Sequence, residues 1–273
     1  MKGASEVSDK TEKSRSHGRI SITASLKPRE LMDTNPRLAG VWTAQIITLF
    51  PDAFPGVLGE SLTGRALRDG KWQLHTTNLR DFGVTKHRNV DDTPAGGGAG
   101  MVLRPDVLGN AIETAMAGAR GNWPLVYLSP RGRRFDQRMA RAWSKADGIT
   151  MLCGRFEGVD QRVLDHYNIM EVSLGDFVLT GGEIAAQAMI DATVRLLPDV
   201  LGNEESTVDE SHSAGLLEHP QYTRPAEWKG RSIPDVLMSG HHGNVEKWRR
   251  EMSEALTRDR RPDMWAAHEA KKK

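Results

Sequence analysis

Two short glycine-rich segments concentrate the residues able to hold a small ligand: Gly154-Arg155-Phe156-Glu157-Gly158 and Gly175-Asp176-Phe177-Val178-Leu179-Thr180-Gly181-Gly182. They belong to the stretch Leu152 to Gly182, which holds five glycines and several carboxylates between two apolar runs. Glycine lets a backbone come close enough to hydrogen-bond a base or a ribose. The plain alternative is a pair of ordinary turns, with glycine at left-handed positions and acids at helix starts, and spacing alone does not separate the two.

Three other groups of residues invite chemistry. Gly96-Gly97-Gly98-Ala99-Gly100 follows Asp91 and Asp92, but no Lys-Ser/Thr comes after it and no G-x-G-x-x-G register fits, so it reads as an RNA- or cofactor-facing loop and not as a phosphate loop. Arg131, Arg133, Arg134, Arg138 and Arg141 make the clearest basic patch, either a solvated helix face or a phosphate contact. Cys153, the only cysteine, lies in an apolar run and reads as a buried structural thiol; one cysteine also excludes an internal disulfide or a Cys-cluster zinc site.

These residues need strands behind them. Ile149 to Cys153 is short, apolar and stopped by Gly154, as expected of a strand buried on both faces, which makes Gly154 to Gly158 a loop at a strand's carboxyl end. Ile169 to Leu174 repeats the pattern, and a helix opens at Glu183, with Ala185, Met189, Ala192 and Leu196 on one face and Pro198 as its stop. Ala44 to Phe50, Trp72 to Thr77 and Leu125 to Leu128 read as further strands. Leu58 to Arg68, Pro105 to Ala119 and a stretch with Phe135, Met139, Ala142, Trp143 and Ala146 on one face read as helices. Alternation of strand and helix over Ala44 to Leu197 implies an α/β fold with a mainly parallel sheet.

Lys and Arg number 37 against 36 Asp and Glu, so bulk charge does not advertise nucleic acid, and any RNA contact must come from local patches. A hydrophobic content of 38% suffices for a real core. No run of 18 apolar residues and no signal-like N-terminus occurs, so neither a membrane span nor export is indicated and a cytoplasmic protein is expected. Residues 1–40 read as a disordered, solvated extension; Glu6, Asp9, Glu12 and Glu30 argue against a mitochondrial-type presequence. Residues 41–201 form the main domain, the polar run over 202–215 a linker, and 216–273 a small helical domain whose best helix is Val245 to Thr257, capped by Asn244.

The wording of the two glycine loops, CGRFEG and SLGDFVLTGGE, resembles the cofactor loops of the bacterial tRNA (guanine-N1)-methyltransferases that act at position 37, members of the SPOUT superfamily. HRNVDDTPAGGGAGM, YLSPRGR, RLLPDVLGNE, GLLEHPQYTRP and VLMSGHHGNVEKWR extend the resemblance from about Trp42 to Trp265. It implies a deep trefoil knot with Leu128 to Gly182 as its threaded part, a homodimer whose site is completed by the second subunit, and a C-terminal domain that grips the tRNA anticodon stem-loop. It implies S-adenosyl-L-methionine held by Leu128, Ser129 and Pro130, by Gly154, Phe156, Glu157 and Gly158, and by Leu174, Gly175, Asp176, Phe177, Val178, Leu179, Gly181 and Gly182. Magnesium dependence is a family trait, but no metal ligand set is assigned here.

Methylating guanine N1 needs an electrophilic methyl, a base for the N1 proton and a cation for charge developing on O6. By resemblance Arg195 is that cation; as a bare residue it could equally partner a helix C-terminus. The base falls at Glu210, with Asp209 immediately before it as the alternative. A carboxylate free in water, with a pKa of about 4, is weak for this task and needs closure and desolvation over the substrate. This chain departs from the usual pattern with Phe156 and Phe177 for Tyr, Ala99 and Ala185 for Pro, and Glu210-Ser211-His212 for Asp-Ser-Phe. A related methyltransferase acting on another RNA nucleotide, a noncatalytic RNA-binding protein on the same scaffold, and a nucleotide-phosphate enzyme using Gly96 to Gly100 are the other readings.

Overall fold

The strand β1 (Trp42–Thr48) is buried along its whole length, with Trp42, Ala44 and Ile46 packed into one apolar cluster and Ile47 into another. A strand with core on both faces is the mark of a central position in a sheet covered by helices on each side. A computed structural model describes residues 40–119, 121–201, 211–212 and 215–272 and shows this arrangement. After β1 come α1 (Ser61–Arg68), β2 (Trp72–Asn78), the short antiparallel pair β3 (Asp91–Asp92) and β4 (Val102–Leu103), and α2 (Pro105–Met116). Then follow β5 (Leu125–Arg134), α3 (Gln137–Ser144), β6 (Gly148–Cys153), α4 (Gln161–His166), β7 (Met170–Ser173) and α5 (Glu183–Val194). The five long strands form one sheet in the order β2-β1-β6-β5-β7, and every pairing in it is parallel.

One face is covered by α1, α3 and α5 around Ile46, Trp72, Met151, Met189 and Ile190, the other by α2 and α4 around Ile47, Leu108, Ile112 and Leu152. Full burial of each such side chain stabilises the fold by about 1.5–3 kcal/mol. The alternation Met151 to one face and Leu152 to the other carries the chain to Cys153 at the edge of the first cluster, and there Gly154 ends β6. The parallel order places the ends of β6 and β7, on either side of β5, at one edge of the sheet.

Several local expectations need correction. The helix read over Leu58 to Arg68 is a 3-10 turn, Gly56–Gly59, followed by α1, and Gly64 has no room for a Cβ against the Gly59 carbonyl. β5 does not stop at Leu128, the expected end, but runs on to Arg134; its pairing with β7 shifts register between Leu128 and Arg133. The short helix α4 was not anticipated, although Asp160 signals its start by accepting from the Arg162 amide at 2.9 Å. Ala142 is exposed and Ala140 takes the buried place on α3.

Beyond residue 215 the chain forms a hairpin of β8 (Glu227–Trp228) and β9 (Arg231–Ser232), then α6 (Asp235–Met238), α7 (His242–Arg260) and α8 (Pro262–Lys272). The hairpin was missed, yet Lys229 and Gly230 both take positive φ, as a two-residue turn of this hand requires. α7 starts earlier than expected, with His241 at its cap position and Asn244 inside it. No described helix is long and apolar enough to cross a membrane.

Candidate active site

The two glycine loops meet. The Gly182 amide donates to the Gly154 carbonyl at 3.2 Å, and a Cβ at position 182 would stand 2.8 Å from Cys153 Cα. Between them lies a cavity of about 270 Å³. Leu128, Ser129, Pro130, Gly154, Phe156, Glu157, Gly158, Leu174, Phe177, Val178, Leu179, Gly181 and Gly182 all line it, so thirteen of the residues expected to hold a cofactor converge. Arg155, Val172, Thr180 and Ala185 line it as well and were not in the expected set; Arg155 and Thr180 lie inside the segments already singled out.

Gly175 and Asp176 are the exceptions among the expected residues. Gly175 supports Phe177, whose ring would lie 2.7 Å from a Cβ at 175. Asp176 turns outward and faces the Arg134 guanidinium at 3.8 Å, in the solvent where such a pair is worth little.

A third segment approaches the same cavity. The Glu157 amide donates to the Met101 carbonyl at 2.9 Å, the Leu103 amide donates to the Gly158 carbonyl at 2.9 Å, and Gly100 abuts the Glu157 side chain. The glycine run 96–100 thus ends beside Glu157, which lines the cavity. A phosphate in its last turn would meet the Glu157 carboxylate, which counts against the phosphate-loop reading.

Electrostatics around the cavity are mostly paired. Arg131 Nε donates to Glu171 at 2.6 Å and its Nη2 to Gln161 at 2.8 Å, and the Glu171 bond holds the guanidinium's pKa above its ordinary value. Arg138 faces Asp136 at 3.1 Å. Arg131, Arg134 and Arg138 of the expected basic patch thus each face a carboxylate of the protein itself. Tyr127, beneath Gly154 and Gly158, has its phenol pKa raised, chiefly by burial. Cys153 is fully buried, and burial, then the nearby Glu183 carboxylate, pushes its thiol well above the ordinary range, as a structural thiol requires.

Arg195, expected to stabilise charge on O6, is not among the residues that line this cavity. Arg195 follows the last turn of α5, ten residues beyond Ala185, which lines the cavity, a separation of about 15 Å along the helix axis at about 1.5 Å per residue. Asp209 and Glu210 fall outside the described residues. Their neighbour His212 lines a larger cavity of about 640 Å³ with Arg134, Arg138 and Arg261 among its walls, and Arg134 joins that cavity to Asp176 of the second glycine loop. Among the described residues no cluster of three or more His, Cys, Asp or Glu could hold a metal ion.

An apolar cleft at the ends of parallel strands, walled by glycine backbone and lacking a dinucleotide fingerprint, suits a nucleoside-bearing cofactor. Comparison with known proteins agrees. The family described as tRNA (Guanine-1)-methyltransferase TrmD matches residues 43–267. A tRNA (guanine-N(1)-)-methyltransferase of Ruegeria sp. strain TM1040 is 72% identical over 88% of this chain and 99% of its own, and that of Ruegeria pomeroyi is 73% identical with the same coverage. The protein of that name from Rhodospirillum rubrum is 55% identical over 83% of this chain and 94% of its own. The matched region contains every wall of the cleft, and the chain belongs to the tRNA (guanine-1)-methyltransferase family.

Proposed function

We propose that this protein transfers a methyl group from S-adenosyl-L-methionine to N1 of guanosine in tRNA, at position 37 beside the anticodon. The observation that carries the reading is the convergence of thirteen expected residues from three separate segments, strand β5 and the two glycine loops, on one cleft. The residues fit the cofactor: Phe177, Leu179, Val172 and Leu174 offer apolar contact for a purine, and the glycine backbones offer amides and carbonyls for its edge. When bound, the cofactor supplies the electrophilic methyl. Calorimetric titration with S-adenosylmethionine tests the assignment: binding is expected, and binding of ATP in its place would favour a nucleotide-phosphate enzyme.

The chain's own residues supply the rest. Arg195 stabilises charge developing on O6, and Glu210 removes the N1 proton, Asp209 being the alternative. The distance from the cleft to Arg195 supports a homodimer in which the second subunit completes the site. So does the rim of the cleft, where Phe156, Phe177, Val178 and Ile184 are 54%, 53%, 81% and 63% exposed within one chain. Large apolar side chains gathered like this mark a surface that another protein covers. The placement of β5 between β6 and β7, with Gly182 drawn back to Gly154, supports a trefoil knot whose threaded part is Leu128 to Gly182. In the C-terminal region, Tyr222, Trp228, Arg224 and Arg231 are exposed aromatic and basic residues suited to the anticodon stem-loop. We take residues 41–201 as the catalytic domain, 202–215 as the linker and 216–273 as the RNA-binding domain, acting in the cytoplasm. Magnesium is assigned to no residue.

A further inference from the structure

Glu183 is the first residue of α5, where a carboxylate ordinarily faces solvent and its own helix amides. Here its side chain is 5% exposed and accepts three hydrogen bonds from elsewhere. Thr48 Oγ1, at the end of β1, donates to Oε1 at 2.7 Å; Arg155 donates from Nη2 to Oε2 at 2.8 Å and from Nε to Oε1 at 3.4 Å. Arg155 also donates from Nη1 to the Thr180 carbonyl at 3.2 Å and lays its guanidinium 4.3 Å from the centre of the Phe50 ring. Gly181 sits between Arg155 and Glu183, where any side chain would collide with both.

One buried ion pair thus joins the loop after β6, the loop after β7 and the end of β1. The pair stands apart from the residues of both apolar clusters. A buried pair of this kind stabilises little more than apolar residues of the same shape would, but a guanidinium held side-on by a carboxylate fixes both distance and direction. We propose that Thr48, Arg155 and Glu183 are positioning residues that set the width of the cleft and hence its affinity for S-adenosylmethionine. This rests on the reading of the cleft as the cofactor site.

The test uses the full-length protein. Wild type is first titrated with S-adenosylmethionine by calorimetry; no binding there rejects the cofactor reading itself, apart from this inference. Given binding, Arg155→Lys, which keeps the charge but loses the fork, is expected to weaken the cofactor about 10-fold or more and to raise its KM in step, with the KM for tRNA within about 2-fold of wild type. Thr48→Val is expected to weaken the cofactor about 3- to 10-fold, and Thr48→Ser to restore it. Cofactor affinity within about 2-fold of wild type in both Arg155→Lys and Thr48→Val, or equal rises in both KM values, overturns the proposal. Should circular dichroism show Arg155→Lys unfolded, the Thr48 pair decides by the same criteria.

Discussion

Gly154 lies against the ring of Tyr127, so that a Cβ at position 154 would come 2.7 Å from Tyr127 Cε2 and 2.8 Å from its hydroxyl. The collision thus lies beneath the loop, with the protein itself. Gly154→Val should therefore push the loop off its seat and weaken S-adenosylmethionine by about 10- to 100-fold, the scale of an overpacking cost of 1–3 kcal/mol. Adding Tyr127→Leu should recover part of the affinity. Calorimetry on both variants decides, and an unchanged affinity in Gly154→Val removes the loop from the binding site.

Cys153 should resist thiol reagents. Its burial and raised pKa leave little thiolate, so at pH 8 a disulfide reagent is expected to label it only in denaturant. Rapid labelling of the native protein would contradict the packing of β6.

Asp136 caps α3 by accepting from the Met139 amide at 2.8 Å, and that bond is the main reason its carboxyl pKa lies below the ordinary value. A depressed folded-state value means that its stabilisation is complete above the ordinary carboxylate range and is lost as pH falls through the depressed value. Asp136→Ala should cost about 1 kcal/mol at pH 7 and progressively less below pH ~4. Denaturant unfolding at the two pH values measures it; an equal loss at both would show that charge plays no part in the cap.

The separation of Arg195 from the cleft predicts complementation between subunits. Arg195→Ala should slow single-turnover methyl transfer by about 100- to 1,000-fold, and Glu210→Gln by roughly 100-fold or more, with cofactor binding near wild type in each. If the two defects lie on different subunits, mixed dimers contain one intact site and recover part of the rate. No recovery after verified subunit exchange rules against a shared site. Loss in Asp209→Asn without loss in Glu210→Gln moves the base by one residue.

The cleft was legible in the sequence where its parts are local. An apolar run stopped by Gly154 and another ending at Gly175 place two loops at strand ends, and the structure puts both there. What the sequence hides is long-range partnership. Glu183 reads as a helix-start acid, and nothing near it points to Thr48, 135 residues earlier. Asp176 reads as a wall of the pocket by its place in the segment, but its side chain lies in solvent beside Arg134. The extension of β5 escaped for a similar reason: Pro130 and Gly132 signal a turn, and only pairing with β7 keeps Arg133 and Arg134 in the sheet.

The most direct test of the whole account is to incubate the protein with unmodified tRNA bearing G37 and S-adenosylmethionine, then digest the RNA and map the methylated nucleoside by mass spectrometry. The account predicts 1-methylguanosine at position 37 alone, and none when G37 is replaced by adenosine. A methyl group on another atom or another nucleotide, or no transfer by a protein shown to bind the cofactor, would contradict it.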